Sequence, residues 1–298
     1  MVKASQDEYP FAEHFLDRDG IRQHYVDEGS GEPIVMLHGN PTWSFFFRNL
    51  IKDLSRDHRV IAPDHVGCGK SDKPDDARYS YRLQQRVEDV ESLLDHLGVA
   101  GDITLVLHDW GGMIGTTFAV RHPERIKRIV LLNTGGFHLP RAKPLPLPIW
   151  MVRDTPLGGF LARGLNAFSL GAVKWCVTKR PLSAEAAAGY LSPYDSWANR
   201  IGVHRFVQDI PLEPTDPSYD LVTETQERLG QLADLPILIL WGEKDFVFDE
   251  HFLEEWRRHW PKAEVVTFPE AGHYVIEDER EEIVGRVRGF LEANALGE

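Results

Sequence analysis

The chain holds 298 residues, 42% of them hydrophobic, with a formal net charge of −13; this suffices for one large core and about two domains by length, so one body carrying an insertion is expected. The negative balance repels nucleic-acid phosphates and anionic lipid headgroups, which leaves nucleic-acid or polybasic membrane recognition without a footprint in the overall charge. Only two cysteines, Cys68 and Cys176, are present, too few for a disulfide framework or a thiolate metal site and in keeping with a reducing compartment.

Met1 to Phe15 mixes Lys3, Asp7, Glu8 and Glu13 with apolar positions, so no signal peptide is expected there. No segment approaches the ~20 uncharged apolar residues of a membrane span. A soluble, unprocessed, cytoplasmic protein is the expectation.

Phe15 to Glu28 reads as a hairpin turned at Asp19-Gly20, and Pro33 to Leu37 as the next strand. Val60 to Ala62 follows as a strand. Arg82 to Leu97 carries Leu83, Val87, Val90, Leu93, Leu94 and Leu97 on one helical stripe, which Gly98 stops. Ile103 to Leu107 is a strand, Met113 to Val120 a helix ended near Pro123, and Ile126 to Leu132 another strand.

From His138 to Pro217 strand signals vanish, and Pro140, Pro144, Pro146, Pro148 and Pro156 open a run of aromatic-rich helical pieces. This predicts a helical cap at 138–217 over a core made of 1–137 and 218–298. The cap's Trp150, Met151, Phe160, Phe168, Trp175, Trp197 and Phe206 are candidates to line an apolar pocket, foremost Phe168, Trp175, Trp197 and Phe206. For each, packing within the cap's own core is the competing reading. After the cap, Ile237 to Trp241 and Val265 to Phe268 read as strands and Ile283 to Leu291 as a terminal helix. Short apolar runs alternating with amphipathic ones argue for an α/β class with mostly parallel strands.

The sharpest chemical feature is Leu107-His108-Asp109-Trp110-Gly111-Gly112, an acid between a buried strand and a helix that opens with two glycines. Such a nucleophile elbow projects its central side chain from the top of the sheet. A carboxylate there needs no base to ionise it at neutral pH, so it can attack a saturated carbon and form an alkyl ester. An aspartate that merely caps the next helix is the alternative.

Its partners lie elsewhere in the chain. His38-Gly39-Asn40-Pro41 follows an earlier strand, where a backbone N–H can join that of Trp110 in an oxyanion hole. Ala271-Gly272-His273-Tyr274 follows the last strand, and Trp241-Gly242-Glu243-Lys244-Asp245 ends the strand before it with an acid able to fix the imidazole. Asp249 reads as a cap for the helix near His251, while Glu277 and Asp278 suit the dipole of the final helix. Leu132-Asn133-Thr134 offers no acid, which favours Asp245. Asp64, Gly67, Gly69 and Ser71 lack the spacing of a phosphate loop and read as a structural turn. No His, Cys and acid cluster has metal-ligand spacing, so an enzyme without metal or cofactor is expected.

At these residues, and over nearly the whole length, the chain resembles the haloalkane dehalogenase family. His38-Gly39-Asn40-Pro41-Thr42-Trp43-Ser44 and His108-Asp109-Trp110-Gly111 are similar to its signatures, and an acid after the penultimate strand is similar to its third subgroup. The resemblance implies an α/β-hydrolase fold, a mostly parallel eight-stranded sheet flanked by helices with a helical cap. It further implies Asp109, His273 and Asp245 as a catalytic triad, with Asn40 and Trp110 donating hydrogen bonds to the leaving group. Tyr194-Asp195-Ser196-Trp197-Ala198-Asn199-Arg200, Arg205 to Leu212 and Asp245-Phe246-Val247-Phe248-Asp249 look closer to the β-lactone decarboxylases of bacterial long-chain olefin biosynthesis.

That neighbourhood implies decarboxylation of a cis-β-lactone to a cis-alkene, with dehalogenation of 1-haloalkanes as the alternative. A hydrophobic small-molecule substrate is implied by either. An epoxide hydrolase ranks third and needs cap tyrosines as acids, for which Tyr190, Tyr194 and Tyr219 are available. A non-catalytic binding module on the same fold would predict a broken triad. Within the pathway, the resemblance implies contact with the β-lactone synthetase, for which Leu139 to Ile149 is a candidate surface and a rigid connector the competing reading.

Overall fold

Asp19 and Gly20 both take positive φ, 53° and 74°, as a two-residue type I′ turn requires. They pair β1 (His14–Arg18) antiparallel with β2 (Ile21–Glu28). The computed structural model describes residues 7–296. The reading of Met1 to Phe15 rests in part on residues 1–6, which lie outside the described residues.

The chain continues through β3 (Pro33–Leu37), α1 (Arg48–Leu54), β4 (Arg59–Pro63), α2 (Leu83–His96), β5 (Ile103–Asp109), α3 (Trp110–Arg121) and β6 (Ile126–Thr134). Six helices follow before the next strand: α4 (Leu147–Asp154), α5 (Pro156–Gly164), α6 (Ala167–Trp175), α7 (Ala184–Leu191), α8 (Ile201–Gln208) and α9 (Tyr219–Arg228). Then come β7 (Ile237–Gly242), α10 (Glu250–His259), β8 (Glu264–Phe268), α11 (Val275–Asp278) and α12 (Arg280–Ala293). The eight strands form one sheet in the order β1-β2-β4-β3-β5-β6-β7-β8, with only β2 running against its neighbours. The α/β class and eight-stranded sheet are as expected.

Alternation along the central strands divides the core between the two faces of the sheet. Val35, Leu37, Leu105, Leu107, Ile129, Leu131 and Ile239 pack with residues of α2, α3 and α10. Ile34, Met36, Val106, Val130, Leu132, Leu238 and Leu240 pack with α1 and α12. The predicted stripe of α2 is buried from Leu83 to Leu94, and Gly98, at φ 67°, ends the helix.

Helix α3 starts three residues before the predicted Met113, because glycine propensity gives way to packing. A Cβ at Gly111 would overlap the Leu37 carbonyl, and one at Gly112 the Thr134 side chain, so the weak helix formers are what lets the first turn approach the sheet.

Glu277 does not serve the dipole of α12; it lies in α11 and forms half of a buried ion pair. Its two oxygens accept from Arg48 Nη1 and Nη2 at 2.5 and 3.1 Å, and Tyr190 of α7 donates to it at 2.6 Å. Arg48 also donates to Glu8 at 2.8 Å. Replacing Arg48 with methionine removes the main countercharge of a buried carboxylate, so a loss of about 3–5 kcal/mol in urea unfolding is expected. A loss under about 1 kcal/mol would show the pair to be no stronger than a surface bridge.

Candidate active site

Strand β5 delivers Asp109 to the top of the sheet with φ 52° and ψ −124°, and α3 begins at the next residue. Its register against β6 shifts between His108 and Asp109. A non-glycine residue at positive φ is strained by about 1–3 kcal/mol and persists only where its surroundings hold it. Thr134 Oγ1 donates to the Asp109 carbonyl at 2.5 Å, and a Cβ at Gly39 would overlap the Asp109 side chain. The carboxylate does not act as the N-cap of α3; the backbone N–H groups of Asn40 and Trp110 face it instead.

Asp109 Oδ1 accepts the backbone N–H of Asn40 at 2.6 Å, and His273 Nε2 stands 3.7 Å from Oδ2. On the other side of the ring, Nδ1 donates to Asp245 Oδ2 at 2.7 Å. Asp245 Oδ1 is held by the N–H of Val247 at 2.7 Å. Thus the structure brings together Asn40, Asp109, Asp245 and His273. Asp249 instead accepts from His251 N at 3.1 Å as the cap of α10.

Burial is the largest influence on Asp109 and raises its pKa above the ordinary carboxylate value, against the opposing pull of His273 and the N–H groups of Trp110 and Asn40. Burial alone would lower His273, but the charge and hydrogen bond of Asp245, with Asp109 beyond, outweigh it and raise the imidazole above its usual 6.5. The resting imidazole is therefore biased toward the cation.

Three further histidines hold the backbone around this centre. His38 Nδ1 donates to Gly39 O at 2.7 Å and its Nε2 accepts the His65 N–H at 3.0 Å. His65 Nε2 donates in turn to His38 O at 3.0 Å. Burial lowers His38 to about 4, so the ring stays neutral and its tautomer fixed. His108 Nε2 donates to the His273 carbonyl at 3.0 Å and its ring stacks on Phe46 at 4.1 Å.

Part of the scaffold carries little local mark in the sequence. Asp278, like Glu277, is no dipole partner of α12: it accepts from Gly272 N at 2.8 Å and from the N–H groups of Thr178 and Lys179, and so holds the loop bearing His273. Asn133, at φ 32°, bonds both the N–H and the carbonyl of Gly242 at 2.8 and 3.0 Å. It ties β6 to the end of β7, just ahead of Asp245. An Asn directly after an apolar strand was the available sign. Asp64 accepts from His24, Ser44 N and Lys70 N around a turn with Gly67 and Gly69 at positive φ, the structural role expected of it.

Asp109, His273, Asn40 and Trp110 form the polar floor of a cavity of about 200 Å³ whose walls are apolar. Asn40 Nδ2 donates to the Val203 carbonyl of α8 at 3.0 Å, which orients the amide and engages one of its two N–H groups. Trp110 also lines the cavity. Phe168 and Trp175 are wall residues, as are Leu139, Leu145, Ile149 and Phe248.

Trp197 and Phe206 do not line the cavity. Trp197 is half exposed with Arg163 over its ring at 4.6 Å. Phe206 is buried against Trp110 at 5.3 Å and under Arg86 at 3.6 Å. Trp150 and Phe160 are exposed, and Met151 is away from the cavity. The short helices that carry these side chains turn them to other faces. No tyrosine reaches the cavity among the described residues: Tyr190 bonds Glu277, Tyr194 donates to Thr42 O at 3.1 Å, and Tyr219 stacks on His138.

A family model described as the alpha/beta hydrolase fold matches residues 32–280. The chain is 54% identical over 282 residues to the cis-3-alkyl-4-alkyloxetan-2-one decarboxylase of Shewanella oneidensis, covering 95% of this chain and 89% of that one. It is 35% identical over 301 residues to a haloalkane dehalogenase of Mycolicibacterium paratuberculosis, covering 96% and 95%. The solved haloalkane dehalogenase DatA of Agrobacterium tumefaciens C58 superposes with a TM-score of 0.84 at 25% identity, over 95% of this chain and 97% of that one.

Proposed function

The chain is an enzyme of the α/β-hydrolase fold family, in the branch that holds these decarboxylases and haloalkane dehalogenases, and from that premise we propose that it decarboxylates cis-β-lactones to cis-alkenes. The observation that carries this is Asp109 on the floor of an apolar cavity, beside two donors suited to an anion, in a chain 54% identical to an enzyme of that name. Residues 138–217 act as the cap.

Asp109 attacks the ring carbon that bears the lactone oxygen, from the side opposite that oxygen. The ring C–O bond breaks, and its electrons leave on a carboxylate still tethered through the neighbouring carbon. The second N–H of Asn40 and the indole N–H of Trp110 receive that charge in a site shielded from water. Inversion leaves the new ester anti to the carboxylate. Loss of carbon dioxide then turns the C–C bond pair into the alkene and expels Asp109 as carboxylate, and the alkyl groups stay cis. No water enters the balance. His273, held as a cation by Asp245, steadies the Asp109 charge as it leaves.

In the alternative, Asp109 displaces halide into the same two donors and His273 activates water to hydrolyse the ester. An epoxide hydrolase falls behind both, because Tyr190, Tyr194 and Tyr219 are bonded or stacked elsewhere. In this reading the enzyme works in cytoplasmic long-chain olefin biosynthesis. It receives a strained lactone from the β-lactone synthetase before water opens the ring.

The test supplies purified enzyme separately with a cis-3,4-dialkyl β-lactone and with 1-bromobutane, and measures alkene and bromide. Alkene with little bromide is expected. Rapid bromide without alkene would overturn the decarboxylase reading and make the enzyme a haloalkane dehalogenase.

A further inference from the structure

Charge and apolar surface are unevenly shared along this chain. Between residues 138 and 180 lie seven Lys and Arg and one acid, Asp154, a net +6 within a chain of −13. Asp154 is itself paired with Arg153 at 2.5 Å. Arg141, Arg163, Lys174 and Arg180 form no ion pair among the described residues. The overall charge therefore conceals a cationic stretch within an otherwise acidic chain.

The same region carries the exposed hydrophobics. Eight of the ten large apolar side chains that stand exposed among the described residues fall between 147 and 197. On α4, Leu147 and Trp150 point outward while Ile149 and Val152 are buried. On α5, Leu157 and Phe160 do the same over buried Gly158, Gly159 and Ala162. These helices are amphipathic toward their own core, yet their solvent faces are also apolar, which a surface helix normally avoids. Arg163 and Lys174 lie over the Trp197 and Trp175 rings at 4.6 and 5.4 Å. Indole rings with nearby cations are what a protein places at the level of lipid headgroups.

The patch joins the cavity. Trp175 and Phe246 both line it and stand 63% and 45% exposed, so its mouth opens on this face. A volume of about 200 Å³ is below the roughly 300–1,000 Å³ of most ligand pockets, so the arms of a long substrate run out past these two residues.

We propose that the outer face of α4, α5 and α6 docks on an anionic phospholipid surface and takes apolar substrate into the cavity directly from the bilayer. Aromatic and leucine side chains enter the headgroup boundary while Lys174, Arg180 and their neighbours meet lipid phosphates. The acidic body is held away by the same field. Nothing in this depends on whether the substrate is a lactone or a haloalkane.

The test floats the full chain with vesicles of phosphatidylcholine alone and of a phosphatidylglycerol-rich mixture. Flotation with the anionic vesicles that weakens with added salt is expected. The double variants Trp150→Ser/Phe160→Ser and Lys174→Glu/Arg180→Glu should each bind at least about tenfold less, with turnover of a short, water-soluble substrate unchanged. Should a variant fail to fold, brominated lipids supply the test on the unaltered chain by quenching its tryptophan emission. Absence of both flotation and quenching would overturn the proposal, as would flotation that both variants retain. A Trp150→Ser/Phe160→Ser change that instead turns a dimer into a monomer in sedimentation, with no vesicle binding by the parent chain, would also overturn it and assign the face to a second copy.

Discussion

Asp109→Ala is expected to lower alkene formation from a cis-β-lactone by about 10⁴-fold or more, since loss of a nucleophile removes the covalent route and leaves only binding and the anion donors. Asp109 is where the geometry converges: the Asn40 N–H at 2.6 Å, His273 at 3.7 Å and an elbow backbone held by Thr134. Product is measured by gas chromatography, and circular dichroism checks the fold. Turnover within tenfold of the parent enzyme would remove Asp109 from the nucleophile's role and with it the ester mechanism. The alanine side chain is smaller and relieves the carboxylate's burial, so unfolding is not the expected cause of any loss.

His273→Gln is expected to separate the two chemistries. Hydrolysis of an alkyl ester needs a neutral imidazole to take a proton from water, and loss of a general base costs about 10²–10⁴-fold. With 1-bromobutane the variant should release one equivalent of bromide and retain the butyl group in its intact mass. Decarboxylation regenerates Asp109 without water, so alkene formation should fall far less and no adduct should persist. Equal losses in both reactions, with an adduct from the lactone as well, would show that water enters the lactone reaction.

The pH profiles carry the same distinction. His273 has a raised pKa, so its neutral form grows only as pH climbs through a value above 6.5, and a hydrolytic rate rises there. Alkene formation should show no such rise. Both reactions fail on the acid side as Asp109 gains a proton, at a pH above the ordinary carboxylate range because its burial raises it. For the fold the sign is opposite: a raised folded value for His273 adds stability that is complete below about 6.5 and lost as pH rises through that folded value.

Much of the architecture was legible because it depends on short-range chemistry. Asp19-Gly20 must turn a hairpin, Gly98 must end α2, and the apolar runs of β3, β5, β6 and β7 are too short and too β-branched to be anything but buried strands. Asp109 ends β5, and Asp245 and His273 follow β7 and β8, so the sheet itself sets their common end. The helical stretch between β6 and β7 was harder to read. In helices of eight or nine residues with apolar groups on several faces, periodicity does not say which ring turns inward, and Trp197 and Phe206 were placed in the cavity on composition alone. Glu277 and Asp278 looked like dipole partners because nothing local marks a carboxylate as buried.

By itself, then, the sequence determined the strands and the sharp turn at Asp109, since these are written in contiguous residues whose backbone preferences act locally. Tertiary structure alone decided which aromatic groups line the cavity, where the exposed rings gather, and how Asn40 is aimed. That last bond, to a carbonyl 163 residues away, comes from packing between distant segments, where distance along the chain carries no information about distance in space.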